Sequence, residues 1–238
     1  MTAERACKLG HCGPCVIRQR GICGSLTEDE LLQFRRISRR RTYEPGETIL
    51  SSDEKADLFA AVFSGVVKLT KILFDGRQQV VGLLLPPDCL GRPYGKVNPF
   101  FAEAATKVEL CCYSYSAFEG LLEEFSGLKQ SLFEQTLDEL DAARDWMVVL
   151  GRKTAEERVA SLLLLLATRS TLATHGRATE TVVFELQLKR VEIASFLGLS
   201  YETVCRQISA LKKKGIIRLT GTRRFSVPDL EALADISG

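Results

Sequence analysis

The sequence predicts an α+β protein, with a β-roll of jelly-roll type in its first half and a mostly helical unit in its second half. Residues 39–116 consist of short β-branched and apolar runs, separated by turn signals such as Pro45-Gly46 and Asp75-Gly76, which is typical of a sandwich or jelly-roll barrel. Helical spacing follows to about residue 151, and two short helices joined by a glycine turn lie beyond it. No apolar run approaches the roughly 18 residues of a membrane helix, so we expect a cytoplasmic protein without a membrane partner.

Four segments are predicted along the 238 residues: an N-terminal segment 1–24, a β-roll domain 25–120, a long helix 121–151 and a C-terminal domain 152–238. The net charge of +2 is unevenly distributed. The last segment holds 14 Lys and Arg against 9 Asp and Glu, whereas residues 1–151 carry a net charge of −3. A basic C-terminal domain favours a polyanionic partner, although a solvated basic surface would give the same surplus.

The N-terminal segment contains the motif HCGPCVIRQRGIC, in which Cys12, Cys15 and Cys23 lie close together. Clustered thiols in a chain without a secretory signal bind metal or sense redox state more often than they form structural disulfides. The segment has no hydrophobic period, so we expect irregular chain. A zinc site would usually need a second CxxC pair or paired histidines. Since the chain has only two histidines, an iron–sulfur cluster with a fourth cysteine fits better.

The fourth thiol could come from Cys7, Cys89, Cys111 or Cys112. Successive side chains of the predicted strand VELCCYSY point to opposite faces. Cys112 shares the parity of the apolar residues, so we expect it in the core of the β-roll. Cys111 shares the opposite parity and would face outward, where the N-terminal segment could dock. Cys111 is therefore the predicted fourth ligand, and Cys7 is the reserve candidate.

Two helix starts carry capping boxes. Thr27 with Glu30 begins a predicted helix that ends near residue 37, and Thr154 with Glu157 begins another. Between them, apolar residues recur at three- to five-residue spacing against an acidic face. A helix of about 24 residues would be about 36 Å long, more than a small domain needs. This length favours a dimer interface, with a core helix as the alternative; the predicted interface residues are Leu132, Leu140, Asp141, Ala143, Asp145, Met147 and Leu150.

Residues 188–219 have the pattern of a helix-turn-helix. Ala194 is the small residue where the two helices pack, Gly198 supplies the turn, and Ser200 is the N-cap of the second helix. The following IIRL and FSV strands with a TGTR turn form a small hairpin or wing. The second helix of such a motif reads the DNA major groove with its N-terminal residues. The predicted DNA-binding residues are Ser200, Tyr201, Glu202, Cys205, Arg206 and Lys212.

Glu202 and Arg206 carry the predicted base contacts. Arg206 can donate two hydrogen bonds to O6 and N7 of guanine, and Glu202 can accept one from N4 of cytosine. Because they are four residues apart, they share a helix face and could also brace each other. An ordinary helical hairpin with a salt bridge is the alternative. The lysine-rich end of the helix, the wing and the basic C-terminal domain favour double-stranded DNA as the partner.

The order of β-roll, long helix ending in GRKTAEERVASLL and helix ETVCRQISALKKKGII resembles the CRP/FNR family of transcription regulators over nearly the whole chain. The cysteines resemble its oxygen-sensing, FnrL-like FNR branch. The resemblance implies a cyclic-nucleotide-binding-like β-roll and a C-terminal winged helix-turn-helix domain. It also implies that Cys12, Cys15, Cys23 and Cys111 bind a [4Fe-4S] cluster. Oxygen would break this cluster down and shift a DNA-binding homodimer to monomers.

The chain departs from the family pattern at three places. The spacer between Cys15 and Cys23 is two residues longer than in the better-known FNR spacing. In the recognition helix, Cys205 stands where a serine is common and Tyr201 replaces a smaller residue, which puts the flanking-base preference in doubt. The segment CLGRPYGKVNPFFAEAAT lacks the Gly-Glu-Leu and Arg-Ser elements that bind a cyclic phosphate, so no cyclic nucleotide is expected.

The resemblance thus implies an activator of anaerobic genes that binds a near-palindromic DNA site as a homodimer, with RNA polymerase as a further expected partner. Loss of the cluster would let acidic residues of the long helix, Asp141 and Asp145, repel each other across the interface. A DNA-binding regulator with a structural zinc or a reversible dithiol switch is the alternative. An iron–sulfur enzyme is disfavoured, because the sequence shows no recognisable catalytic constellation.

Overall fold

The structure, a computed structural model, describes residues 15–174, 181–186, 188–220 and 224–238. Cys12, a predicted cluster ligand, and Cys7, its reserve, lie outside the described residues, as does most of the predicted TGTR turn. No helix within the described ranges is both long enough and apolar enough to cross a membrane.

The helices and strands follow the predicted order. The helices are α1 Val16–Arg20, α2 Glu28–Ile37, α3 Tyr115–Glu124, α4 Ser126–Arg152, α5 Ala155–Thr174, α6 Arg190–Leu197, α7 Tyr201–Lys213 and α8 Leu230–Ser237, and a 3-10 turn spans Ile22–Ser25. The strands are β1 Ser38–Tyr43, β2 Thr48–Leu50, β3 Leu58–Ser64, β4 Val67–Ile72, β5 Gln78–Leu84, β6 Cys89–Leu90, β7 Phe101–Ala104, β8 Val108–Ser114, β9 Val182–Glu185, β10 Arg218–Thr220 and β11 Arg224–Val227.

The chain divides into two compact units, one of residues up to Thr70 with Leu83–Asp141 and one of Lys71–Gly82 with Ala142–Gly238. Two four-stranded sheets have the orders β1-β8-β3-β6 and β2-β7-β4-β5. Small and branched side chains fill the space between the sheets, since strands alternate buried and outward positions. This buried set comprises Leu50, Ala60, Val62, Val67, Leu69, Leu90, Ala102, Val108, Leu110 and Cys112. The predicted jelly-roll type β-roll is confirmed.

A second core lies on the outer face of the β1-β8-β3 sheet, where α1, the 3-10 turn, α2 and α3 cover it. Its largest side chains are the aromatic rings of Phe34, Phe59, Tyr113 and Phe118, and the rings of Phe59 and Phe118 stack with their centroids 3.9 Å apart. The sequence predicted helix α2 with its capping box, and the structure confirms both: Thr27 accepts from the backbone N–H of Glu30, and the Glu30 carboxylate accepts from that of Thr27.

Two local expectations differ from the structure. Residues 15–24 were expected to be irregular, but Val16–Arg20 form α1 and Ile22–Ser25 the 3-10 turn. The sequence signal is weak because only Ile17 and Ile22 supply apolar anchors, each 1 % exposed. The long helix begins at Ser126, not near 121, because the buried Phe125 separates it from α3.

The second unit contains α5–α8 and the three-stranded sheet β10-β11-β9. The predicted strand VVFEL, the two helices and the hairpin are confirmed as β9, α6, α7 and β10–β11. Helix α8 was not predicted. Asp229 caps it by accepting hydrogen bonds from the backbone N–H groups of Glu231 and Ala232, and the signal that could have found it is this N-cap after Pro228, followed by LEALADI.

Candidate functional site

Three of the four predicted cluster ligands line one cavity. Cys15 at the start of α1, Cys23 in the 3-10 turn and Cys111 in β8 line this space, which we call the thiol cavity. Cys15 and Cys23 are each 6 % exposed, and Cys111 is half-buried. The cavity is completed by Ile17, Arg18, Leu31, Phe34, Arg35, Ser38 and Tyr113. The fold therefore brings Cys111 next to Cys15 and Cys23, although nearly ninety residues separate Cys111 from Cys23 in the sequence.

The seven-residue spacer between Cys15 and Cys23 has a structural role. It forms α1, whose residue Ile17 packs into the second core, and then reverses at Gly21 so that Cys23 returns to the cavity. A Cβ atom at Gly21 would lie 3.0 Å from the carbonyl oxygen of Ile17 and 3.1 Å from Cβ of Pro87. A larger residue would require neighbouring atoms to move by a few tenths of an ångström, so glycine suits this close approach.

Strand alternation separates the two adjacent cysteines as the sequence predicts. Cys112 is 3 % exposed and lies in the core between the sheets, whereas Cys111 lies on the opposite face at the thiol cavity. Burial raises the pKa of Cys112 to about 11. Because metal ligation requires the thiolate, this environment disfavours Cys112 as a ligand.

Cys89 lies close to the thiol cavity without lining it. Its Sγ donates to Oε1 of Gln135 in α4 at 3.5 Å, and burial raises the pKa of its thiol well above the usual value, with Cys23 as a further charged neighbour. The sequence treats Cys89 as isolated; only the fold brings it next to the second core.

The charge and chemistry of the thiol cavity fit an anionic thiolate-ligated group. Of the residues that the structure describes, Arg18 and Arg35 are the charged ones that line it, and no described carboxylate belongs to the lining. Cysteine thiolates are the usual ligands of iron–sulfur clusters, and the two guanidinium groups would compensate part of their negative charge. Among the described residues, no three His, Cys, Asp or Glu side chains stand close enough to hold a metal ion. Binding would therefore require these three thiols to converge with Cys12.

The segment that carries Cys23 contacts the start of the long helix. Ser25 Oγ donates to the carbonyl oxygen of Gly127 at 2.9 Å. Leu128, which is fully buried, belongs to the same core as Cys15 and Cys23, and Leu132 packs against that core. Leu132, a predicted interface residue, thus lies half-buried within its own protomer.

Other side chains of α4 form an exposed apolar row. Phe133, Leu137, Leu140 and Met147 are 62 %, 45 %, 46 % and 72 % exposed. Their spacing of four, three and seven residues is that of a heptad seam. Of the predicted interface residues, Leu140 and Met147 belong to this row, whereas Asp141, Ala143 and Asp145 are exposed beside it and Leu150 is half-buried. The sequence analysis missed Phe133 as a seam position, although the heptad spacing was available, whereas Leu137 belongs to the apolar recurrence that it identified.

The helix-turn-helix has the geometry that its sequence predicts. Gly198 adopts the left-handed conformation with φ of 62° and ends α6, and the backbone N–H of Leu199 donates to the carbonyl oxygen of Ala194 at 3.0 Å. Ser200 caps α7 by accepting from the backbone N–H of Thr203 at 3.2 Å. The apolar face that joins the helices consists of Ile193, Ala194, Val204, Ile208 and Leu211, all buried.

The opposite face of α7 is available for DNA. Glu202, Arg206 and Lys212 are exposed, Tyr201 is 50 % exposed, and Cys205 is half-buried. The Tyr201 hydroxyl hydrogen-bonds with the Cys205 side chain, which raises the pKa of Tyr201.

The expected brace between Glu202 and Arg206 is replaced by local contacts. Arg206 Nη2 donates to Oγ1 of Thr203 at 3.5 Å. The Glu202 carboxylate interacts with its own backbone N–H and the Ser200 side chain, which lowers its pKa. The lysine-rich end of α7 is also partly engaged, because Lys214 forms an ion pair with Glu156 at 2.6 Å.

Arg190 is a candidate DNA contact that the sequence analysis missed. It begins α6, lies 5.3 Å from the ring centroid of Phe225, and has Tyr201 and Cys205 as electrostatic neighbours. Within the described parts of the chain, its buried Nη1 atom has no hydrogen-bond partner, and burial lowers the pKa of the guanidinium. In the sequence, Arg190 is visible only as an arginine at the start of a predicted helix. Its place beside Tyr201 and Cys205 of α7, which the fold creates, marks it as a candidate.

Known protein families match both halves of the chain. Residues 40–125 match the cyclic nucleotide-binding domain family, and residues 157–236 match the Crp-like helix-turn-helix domain family. The transcriptional activator protein FnrL of Cereibacter sphaeroides is 42 % identical over 97 % of this chain and 93 % of its own length. The nitrogen fixation regulation protein FixK of Bradyrhizobium diazoefficiens is 38 % identical over 94 % of each chain.

A solved structure of FixK2 from Bradyrhizobium japonicum superimposes with a TM-score of 0.76 and 31 % identity, covering 85 % of this chain and 98 % of that one. The similar proteins are transcription regulators and not enzymes, and the helix-turn-helix domain supports DNA binding. Fold, DNA-binding surface and full-length similarity together show that the chain is a member of the CRP/FNR family of DNA-binding transcription regulators.

Proposed function

We propose that this protein is an oxygen-responsive transcription activator of anaerobic genes, with Cys12, Cys15, Cys23 and Cys111 as ligands of a [4Fe-4S] cluster. The observation that carries the proposal is the meeting of Cys15, Cys23 and Cys111 at one cavity that Arg18 and Arg35 also line. When bound, the cluster supplies an oxygen-labile link. Cys111 would hold it from β8, and the N-terminal cysteines would hold it from the other side.

The contacts around Ser25 suggest how this link reaches the long helix. Ligation by Cys23 would fix the 3-10 turn, and Ser25 and Leu128 would then fix the first turns of α4 against it. The exposed row that includes Phe133, Leu137 and Leu140 fits a second copy of the chain, because large exposed apolar side chains at heptad spacing favour helix pairing. The protein would therefore act as a homodimer.

Dimerisation would place the two α7 helices so that each can enter one of two successive major grooves of the DNA. Half-sites one helical turn apart, about 34 Å, match a near-palindromic DNA site. Arg206 would read guanine and Glu202 cytosine. Arg190, which lies at the start of α6, would donate to a phosphate oxygen, the acceptor that guanidinium groups bind strongly. RNA polymerase remains an expected partner, and the absence of a cyclic-nucleotide ligand remains an expectation.

The proposal is tested by purifying the protein without oxygen and measuring iron, acid-labile sulfide, zinc and visible absorbance. About four iron and four sulfide per chain, lost together on exposure to air, are expected. A colourless protein with one zinc per chain would support the structural-zinc alternative. A metal-free protein whose DNA binding is restored by a thiol reductant alone would support the dithiol switch.

The contact between Ser25 and Gly127 gives a smaller prediction. Ser25→Ala removes a hydrogen bond worth about 1 kcal/mol, so the cluster-loaded variant should dimerise about five-fold more weakly than the wild type, with unchanged iron content. Sedimentation equilibrium under nitrogen measures this. Ser237→Ala, which loses a hydrogen bond to the carbonyl oxygen of Ala234 within α8 and does not line the thiol cavity, is the control and should dimerise normally.

A further inference from the structure

Tyr113 carries a hydroxyl group that packing alone does not require. The residue is 2 % exposed and lies among Phe34, Phe59 and Phe118, with ring centroids 4.5, 6.3 and 5.7 Å away. Phenylalanine would fill this position with the same ring. Of the four aromatic residues in this group, only Tyr113 brings a polar atom, and buried phenol groups normally have a hydrogen-bond partner.

A thiol of the candidate site lies beside this hydroxyl. Cys111 and Tyr113 are two residues apart in β8, so their side chains lie on the same face of the strand, and both line the thiol cavity. Burial raises the pKa of the Tyr113 hydroxyl well above its usual value, and the neighbouring side chains of Cys23 and Cys111 raise it further, the latter as an acceptor within reach of the hydroxyl. The three phenylalanines hold the ring, so the direction of the hydroxyl is set by packing.

We propose that Tyr113 is a positioning residue for the cluster, whose hydroxyl donates a hydrogen bond to the Cys111 sulfur. This inference rests on the function proposed above, since it concerns Cys111 as a thiolate ligand. A hydrogen bond to a ligand sulfur withdraws negative charge from the cluster, and such bonds are among the factors that set iron–sulfur reduction potentials. It also fixes the rotamer of Cys111, as outer hydrogen-bond partners do for metal ligands generally.

The matched test compares anaerobically reconstituted wild type, Tyr113→Phe and Tyr115→Phe. The Tyr115 hydroxyl accepts from the backbone N–H of Gly95 at 3.2 Å, and Tyr115 does not line the thiol cavity. For Tyr113→Phe, the midpoint potential should become more negative and the iron–sulfur(Cys) stretching frequencies in the resonance Raman spectrum should shift. The lifetime of the cluster absorbance in air should fall about five-fold, which corresponds to about 1 kcal/mol. Tyr115→Phe should match the wild type in all three.

The outcomes separate this inference from the proposed function. A wild-type protein without iron and sulfide would overturn both. A cluster-loaded wild type with an identical potential, Raman spectrum and lifetime in Tyr113→Phe would overturn only the role of Tyr113. Loss of the cluster from Tyr113→Phe alone would support it, provided that the metal-free variant unfolds at the same temperature as the metal-free wild type. Lower thermal stability of metal-free Tyr113→Phe, with cluster properties unchanged, would show that the hydroxyl serves folding and would contradict the inference.

Discussion

Cys111→Ala should abolish cluster binding, whereas Cys112→Ala should leave it intact. The side chain of Cys111 lines the thiol cavity with Cys15 and Cys23, while Cys112 lies 3 % exposed between the two sheets. Removing one of four thiolate ligands takes away a primary metal–ligand bond, so iron per chain after anaerobic reconstitution should fall from about four to near zero. Alanine is used at both positions because serine could itself ligate iron.

The two adjacent cysteines form a matched pair, because each substitution removes the same atoms from neighbouring positions of one strand. Cys112→Ala should cost about 1 kcal/mol of unfolding free energy from lost core packing, measurable by denaturant titration of the metal-free protein. Equal iron retention in the two variants would show that strand alternation does not select the ligand. If only Cys112→Ala lost iron, Cys112 and not Cys111 would be the fourth ligand, which would contradict the prediction.

Arg206→Ala should weaken binding to the specific DNA site and relax its sequence preference. One bidentate arginine–guanine contact contributes about 1–3 kcal/mol of discrimination, so each half-site should lose about 10-fold or more in affinity, and a dimer loses both contacts. The variant should bind a site with the guanine replaced about as well as the original site. Arg206 is exposed on α7, and its side chain makes a weak 3.5 Å hydrogen bond to Thr203. Its replacement should therefore disturb the free protein little, and the loss of DNA affinity should be directly measurable.

Lys212→Ala provides the comparison for Arg206→Ala. As an exposed residue near the end of α7, Lys212 should contact phosphate, so its loss should weaken all sequences similarly and reduce the salt dependence of binding by about one ion per half-site. Fluorescence anisotropy titrations at several salt concentrations distinguish the two patterns. Unchanged sequence discrimination in Arg206→Ala would contradict its assignment as a base-reading residue.

Local sequence signals predicted the elements whose causes are themselves local. The capping box at Thr27 fixes the start of α2, the αL glycine at 198 ends α6, and the alternation of β8 separates Cys111 from Cys112. Each follows from backbone geometry over a few residues. The resemblance to the CRP/FNR family then supplied the order of the domains and the reason to connect the N-terminal cysteines with β8.

Features created by distant packing were not predictable from the sequence. The short helix α1 forms where the apolar anchors Ile17 and Ile22 find a place on the sheet, which no periodicity over five residues can indicate. Cys89 lies beside Cys23 only because β6 joins the same sheet as β8. The half-burial of Leu132 reflects the second core that closes over α4, whereas the neighbouring Phe133 is left exposed.

The central claim is that an oxygen-labile cluster at the thiol cavity controls DNA binding. Its most direct test is to measure the affinity of one anaerobic preparation for a near-palindromic site, before and after air, while iron and sulfide release are followed in the same sample. Affinity should fall about 100-fold or more in step with sulfide release. It should return after anaerobic addition of iron and sulfide, but not after a thiol reductant alone. An affinity that is unchanged by air, or that is restored by the reductant alone, would contradict the claim.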